Sequence, residues 1–284
     1  MAISEPIVII GGGHMGFVLA QRWRLSMAST AGIHVIETSD KARAKFAGTG
    51  VTLHSSIEEF NLKRGIVVLA VKPQTYPKIF DKLKKHMSGG TTTVVSIMAG
   101  ITLTQLESLT PRVVRIMPNT PAMVGEGMTV ACNPLLTPSQ RITITRLFES
   151  TGRVVWVEDE KLMHAATAVS GSGPAYIFAF MEAFERAAQA VGMPPAIARQ
   201  LVMQTVLGAA QLARQSEDDP SLLRKNVTSA RGTTEAGLMV MLKDGVLAQL
   251  MERTVKAAFD RSVELAQPEV MAAAAAAAPA DDLS

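Results

Sequence analysis

Three short stretches hold residues whose types and spacing could do chemistry. "VIIGGGHMG" sets Gly11, Gly13 and Gly16 in a GxGxxG run, after an apolar run and ahead of Val18, Leu19 and Trp23 at helical spacing. In that pattern the first glycine makes a tight turn, the second lets backbone approach a pyrophosphate, and the third lets the helix pack on the strand. The helix start, with His14 and Met15, then turns its N–H groups to phosphates. "SARGTTEAG" places Arg231, Gly232, Thr233 and Thr234 at the opening of a later helix, a second place for an anion. "VSGSGPAY" carries Ser170 to Pro174, which reads as a glycine-rich helix entry where backbone can come close to a ligand. Simple N-capping of the helix that follows is the competing reading of Ser172 and its neighbours.

Further strand ends belong over the same crevice as the glycine turn. Glu37 closes "IHVIE" about 20 residues after Gly16, where an acid takes the adenosine ribose hydroxyls and disfavours a 2′-phosphate. That leans toward NAD(H), although Ser39, two residues on, could instead hydrogen-bond a phosphate. "LAVKP" contributes Ala70, Val71, Lys72 and Pro73, "SIMAG" contributes Ala99 and Gly100, and "MPNTP" contributes Asn119. The carboxyl ends of strands are where open α/β sheets bind ligands. Lys72 also reads as a solvated loop residue, and Asn119 as part of a turn made by Pro118 and Pro121.

The elements that must position these residues change character along the chain. Before about residue 160, β-branched runs such as "PIVII", "IHVIE", "GIVVLAV", "TTTVVSI" and "RVVRIM" alternate with helix-like segments. "GMTVAC" and "GRVVWV" add two more, with a helix between them from near Pro138. Alternation of this kind predicts βαβ units and a parallel-rich sheet. Afterwards the pattern is helical throughout, and "GPAYIFAFMEAFERAAQAVG" is apolar nearly all round. The expected fold is an α/β Rossmann-type N-terminal domain over 1–160 followed by an all-α domain over 161–267. The tail, 268–284, is alanine-rich and is expected to be disordered. Apolar helices in so small a domain leave surface that a homodimer would cover.

Bulk composition excludes several classes. The 28 basic and 25 acidic residues leave a net charge of +3, with no basic stripe for nucleic acid. The one dense basic run, Lys82, Lys84, Lys85 and His86, has helical spacing and reads as a solvated face. No run reaches the roughly 18 apolar residues of a membrane span. The five histidines are scattered, so no metal site is expected. Cys132 is the single cysteine, which together with the absence of a signal-peptide pattern suggests a reducing, cytoplasmic setting.

Taken with "AVKP", "RIMPNTPAMVGEGMT" and "VTSARGTTEAG", these stretches make the chain resemble the pyrroline-5-carboxylate reductases, in the family's order and over roughly residues 6 to 265. The resemblance implies reduction of Δ1-pyrroline-5-carboxylate to L-proline by hydride transfer from NADPH or NADH. It also implies a dimer through the helical domain, and assembly up to a decamer. It assigns the substrate carboxylate, that of a cyclic imine acid, to Ser229, Gly232 and Thr233, with Ser172 nearby. Thr234 would be the hydroxyl nearest the substrate nitrogen. The chain departs from the family at Ala230 and Arg231, which stand where the loop usually has proline and glycine. Arg231 would carry strain if that glycine had a positive φ. Activity is expected to survive the change, with altered substrate affinity or a somewhat different cyclic imine acid.

A related imine reductase acting on a different cyclic imine acid is one alternative. A non-catalytic nucleotide-binding paralogue is the other. The hydroxyacid dehydrogenases place a lysine or aspartate on the long central helix, and this stretch offers Tyr176, Glu182 and Glu185 instead.

Overall fold

The computed structural model describes residues 3–26, 32–267 and 270. The tail expectation for 268–284 lies, apart from residue 270, outside them.

Unbroken apolar β-branched runs build the centre of the sheet. In chain order the strands are β1 (Ile7–Ile10), β2 (Ile33–Ile36), β3 (Thr52–His54), β4 (Ile66–Leu69), β5 (Thr93–Ser96), β6 (Val113–Met117), β7 (Gly127–Cys132) and β8 (Gly152–Val157). They form one sheet in the order β3-β2-β1-β4-β5-β6-β7-β8. All neighbours are parallel except β6 and β7. Seven of these strands match the runs read from sequence. The short β3, "TLH", has no apolar run to announce it.

Side chains alternate across the sheet, so each central strand feeds two cores. Val8, Ile10, Val67, Leu69 and Val94 face one, and Ile7, Ile9, Ile66, Val68 and Val95 face the other. The helices that cover the faces are α1 (His14–Ser26), α2 (Asp40–Ala44), α3 (Tyr76–Met87), α4 (Leu103–Glu107) and α5 (Pro138–Glu149). Trp23 of α1 meets Phe148 of α5 edge to face at 5.4 Å within the second core. Helix α5 starts where the sequence places it, with Pro138 in its first turn. Thr137 and Gln140 close a reciprocal capping box there.

The helical part comprises α6 (Leu162–Ala166), α7 (Gly173–Ala190), α8 (Pro195–Gln215), α9 (Pro220–Asn226), α10 (Thr233–Leu242) and α11 (Val246–Leu265). Two compact units result, and their division differs from the boundary at residue 160 expected from sequence. The first unit runs to Ser172 and takes in the chain again from Ala258; the second is Gly173–Ala257. Sequence reading places the change where strands stop, whereas α6 and the end of α11 pack with the sheet. His164 Nδ1 lies 3.0 Å from the Ser262 hydroxyl, and Phe259 packs against the same imidazole. The backbone of Leu265 reaches Gly100 so closely that a Cβ there would stand 2.8 Å from its carbonyl oxygen.

In the second unit α7, α9 and α10 bury no residue within a single chain. Phe178 is 61 %, Met239 70 % and Val240 76 % exposed.

Candidate functional site

Parallel register puts the carboxyl ends of five strands on one sheet edge. Ile10 pairs with both Ile36 and Leu69, Leu69 with Ser96, and Ser96 with Arg115. The backbone bonds Gly11 N to Ile36 O (2.9 Å) and Ala70 N to Ile10 O (2.8 Å) carry the register just past the strands. Gly11–Gly16, Glu37–Ser39, Ala70–Pro73, Ala99–Gly100 and Asn119 follow these strand ends, so the sequence-predicted cofactor residues of the first unit gather at one edge.

The glycine turn has the geometry a pyrophosphate needs. Gly11 sits at φ 104°, a conformation closed to other residues without strain. A Cβ on Gly16 would stand 2.1 Å from Gly11 O, so only glycine allows α1 to start this close to the turn. Phe17 N bonds Gly13 O, which leaves the N–H groups of His14, Met15 and Gly16 without intrahelical acceptors. The first turn of α1 holds no acid, so the positive end of the helix is uncompensated. His14 is exposed, while Gly13 and Met15 are half-buried. This cradle fits the pyrophosphate of a dinucleotide.

Other predicted residues have roles inside the protein. The sequence reading gives the Glu37 carboxylate to ribose hydroxyls. In the structure it is fully buried, its Oε2 accepting from Gly12 N at 2.6 Å and its Oε1 from Ser39 N at 2.8 Å. The Ser39 hydroxyl caps α2 through Ala42 N. Arg43 donates to the carbonyls of Glu37 and Thr38 and pairs with Asp40. Asn119 spends both ends of its amide: Nδ2 donates to Ser170 O at 2.9 Å and Oδ1 accepts from Met128 N at 2.8 Å. Gly100, at φ 80°, is packed against the end of α11. Val71 is buried, Ala70, Pro73 and Ala99 are half-buried, and Lys72 is exposed.

The "VSGSGPAY" stretch enters the long helix α7 at Gly173, where the sequence reading places it, but from a helical turn and not from a loop. A π-helical turn, Thr167–Gly171, continues α6, and Ser172 N bonds Thr167 O at 2.8 Å before α7 begins at Gly173. Serine, glycine and an early proline mark the start of α7 in sequence but give no sign of the widened turn just before it. Pro174 has no N–H to lose there.

In the second unit, α10 starts at Thr233 with Gly232 as its N-cap and no side chain capping it. The N–H groups of Thr233 and Thr234 therefore stay open to an anion, beside their own exposed hydroxyls. Gly232 N bonds Ser229 O at 3.1 Å, and a Cβ at 232 would stand 2.5 Å from the Ser229 hydroxyl, which thus lies over this glycine. Arg231 adopts φ 59° and gives its N–H to Glu235 Oε2 at 2.6 Å. It holds the left-handed turn a glycine would hold without strain.

Sequence reasoning missed a polar cluster under the sheet. Arg115, 1 % exposed, pairs through one amino group with Glu160 Oε1 at 2.8 Å, and the same oxygen accepts from Leu103 N at 2.8 Å. Burial and the Arg115 charge hold the His164 imidazole below its ordinary pKa. Burial pushes the nearby Cys132 thiol up to about 11, leaving it an unreactive core residue. An arginine alternating with apolar residues in "RVVRIM" was the available signal for the cluster.

Comparison with known proteins bears on the whole chain. Residues 160–265 match a family model described as pyrroline-5-carboxylate reductase dimerisation, and residues 6–100 match NADP oxidoreductase, coenzyme F420-dependent. The pyrroline-5-carboxylate reductase of Pseudomonas aeruginosa is 38% identical over 271 residues, covering 93% of this chain and 98% of that one. The chain belongs to the pyrroline-5-carboxylate reductase family. The Synechocystis reductase is 42% identical over 205 residues, 70% of this chain and 74% of its own. Among solved structures, the Coxiella burnetii reductase superimposes with a TM-score of 0.85 at 34% identity, covering 93% of this chain and 100% of that one. The Plasmodium falciparum pyrroline carboxylate reductase, solved with NADP bound, gives 0.82 at 28% identity, with 94% and 100% covered. Family membership thus stands on both units, and the α/β-then-helical order expected from sequence is the family's own.

Proposed function

We propose that this chain reduces Δ1-pyrroline-5-carboxylate to L-proline with NADPH or NADH, the last step of proline biosynthesis. The observation that carries this reading is a pairing within one family member: a glycine turn shaped for a pyrophosphate, and an uncapped helix start bearing Ser229, Thr233 and Thr234. The turn at Gly11, Gly13 and Gly16, with the first N–H groups of α1, holds the dinucleotide phosphates. When bound there, a reduced nicotinamide would supply the hydride needed at the carbon of the protonated C=N bond.

The remaining work falls to the chain. The open N–H groups of α10 and the Ser229 hydroxyl hold the substrate carboxylate, fixing the small ring in place. Thr234 offers its hydroxyl near the imine nitrogen. A neutral hydroxyl is a weak acid, so it orients or relays the proton and does not supply it outright. Ser172, just before α7, completes the substrate residues. The exposed apolar faces of α7 and α10 support a homodimer through the second unit, with a decamer as a higher assembly in the cytoplasm.

Steady-state kinetics on Thr234 variants test the assignment. Thr234→Ala should lower kcat about tenfold, the equivalent of one hydrogen bond, and Thr234→Ser should restore most of it. An alanine variant with unchanged kcat would remove Thr234 from the mechanism.

A further inference from the structure

Glu37 occupies the strand end that reads from sequence as the reader of the adenosine ribose. Its surroundings say otherwise. A carboxylate with no accessible surface touches no ligand as it stands, and Glu37 is 0% exposed. Burying that charge is costly unless it is paired or hydrogen-bonded, and both of its oxygens are used inside the protein. One takes Gly12 N at 2.6 Å, in the middle of the glycine turn; the other takes Ser39 N at 2.8 Å, at the start of α2. The space is tight as well. A Cβ on Gly12 would come within 3.0 Å of both Glu37 Cγ and Phe46 Cε2.

We infer that Glu37 is a positioning residue: a buried clamp that ties the end of β2 to the phosphate-binding turn and does not choose between NADH and NADPH. It acts through Gly12, by fixing the backbone that the pyrophosphate must meet. The inference rests on the proposed dinucleotide site but not on the identity of the imine. It also withdraws the sequence argument for NADH. A carboxylate turned inward makes no contact with a 2′-phosphate, and the exposed residues of this segment are Thr38, Asp40 and Lys41.

Dissociation constants of NADPH and NADH, measured on the full chain for wild type, Glu37→Gln, Glu37→Ala and Gly12→Ala, test this, together with kcat at saturating dinucleotide. Glutamine keeps one acceptor, so Glu37→Gln should weaken both dinucleotides about tenfold and Glu37→Ala more. The NADPH-to-NADH ratio should stay within about twofold, and kcat should hold near wild type in Glu37→Gln. Gly12→Ala, which crowds the carboxylate without removing it, should show the same pattern and keeps the test alive if the Glu37 variants fold poorly. A shift of tenfold or more toward NADPH in Glu37→Gln would make Glu37 a ribose reader and overturn the inference. So would unchanged affinities in all three variants. Wild-type protein that binds dinucleotide yet turns over no imine acid would sink the proposed reaction while leaving the clamp to be judged by the ratio. Wild-type protein that binds neither dinucleotide would overturn both.

Discussion

Arg231 shows how one residue can hold a turn that another was suited for. Its φ of 59° is the left-handed value that glycine reaches freely, and an L residue there costs on the order of 1 kcal/mol. Arg231→Gly should therefore stabilise the protein by roughly that amount in urea unfolding, less what the more flexible unfolded chain takes back. An equal or lower stability would show that the arginine side chain compensates in full. Because the turn is kept and the N–H groups of Thr233 and Thr234 stay open, activity should survive in the parent. A glycine variant several orders of magnitude more active would contradict that. His164 carries a pH dependence of its own. Burial and Arg115 lower its pKa from the ordinary 6.5. Below that value the unfolded chain takes up a proton that the folded chain resists, so stability falls as pH drops under about 6.5 and levels off above it. His164→Gln should flatten this slope in Tm measured between acidic and neutral pH; an unchanged slope would assign it to other groups.

At the scale of elements, the sheet and most helices were legible because their signals are local. Runs rich in β-branched residues marked β1, β4, β5 and β6, and Pro138 marked the start of α5. What escaped depended on partners far along the chain. The π turn at Thr167–Gly171 hid behind serine, glycine and proline, which favour a break in isolation. The inward turn of Glu37 depends on Gly12 and the crowding by Phe46, and the burial of Arg115 depends on Glu160. Of the candidate site, the glycine turn and the α10 start were legible as motifs, while the roles of Glu37, Asn119 and Gly100 became visible only with the packing around them. The Arg115–Glu160 pair carries a clear expectation. Glu160→Ala leaves a charge buried at 1 % exposure without its partner and should cost about 3 kcal/mol in urea unfolding. The bidentate Arg141–Glu158 pair lies at the surface, where water screens it, and Glu158→Ala should have a far smaller effect. Equal losses would mean that the first pair is no more buried in solution than the second.

For the whole molecule, the second unit cannot account for its own composition as a single chain. Its helices α7 and α10 carry Phe178, Met239 and Val240 outward, a surface that monomers rarely keep. Light scattering should find at least a dimer, and Val240→Asp should shift it toward the monomer; a monomeric wild type would contradict the proposed assembly. The central claim, that a dinucleotide-binding first unit and a carboxylate-binding second unit together reduce a cyclic imine acid, meets its most direct test in the reaction itself. Oxidation of NADPH and NADH should be followed with and without Δ1-pyrroline-5-carboxylate, and the product analysed. Imine-dependent oxidation yielding L-proline in equal amount is the predicted result. Tight dinucleotide binding with no oxidation on adding the imine would contradict it.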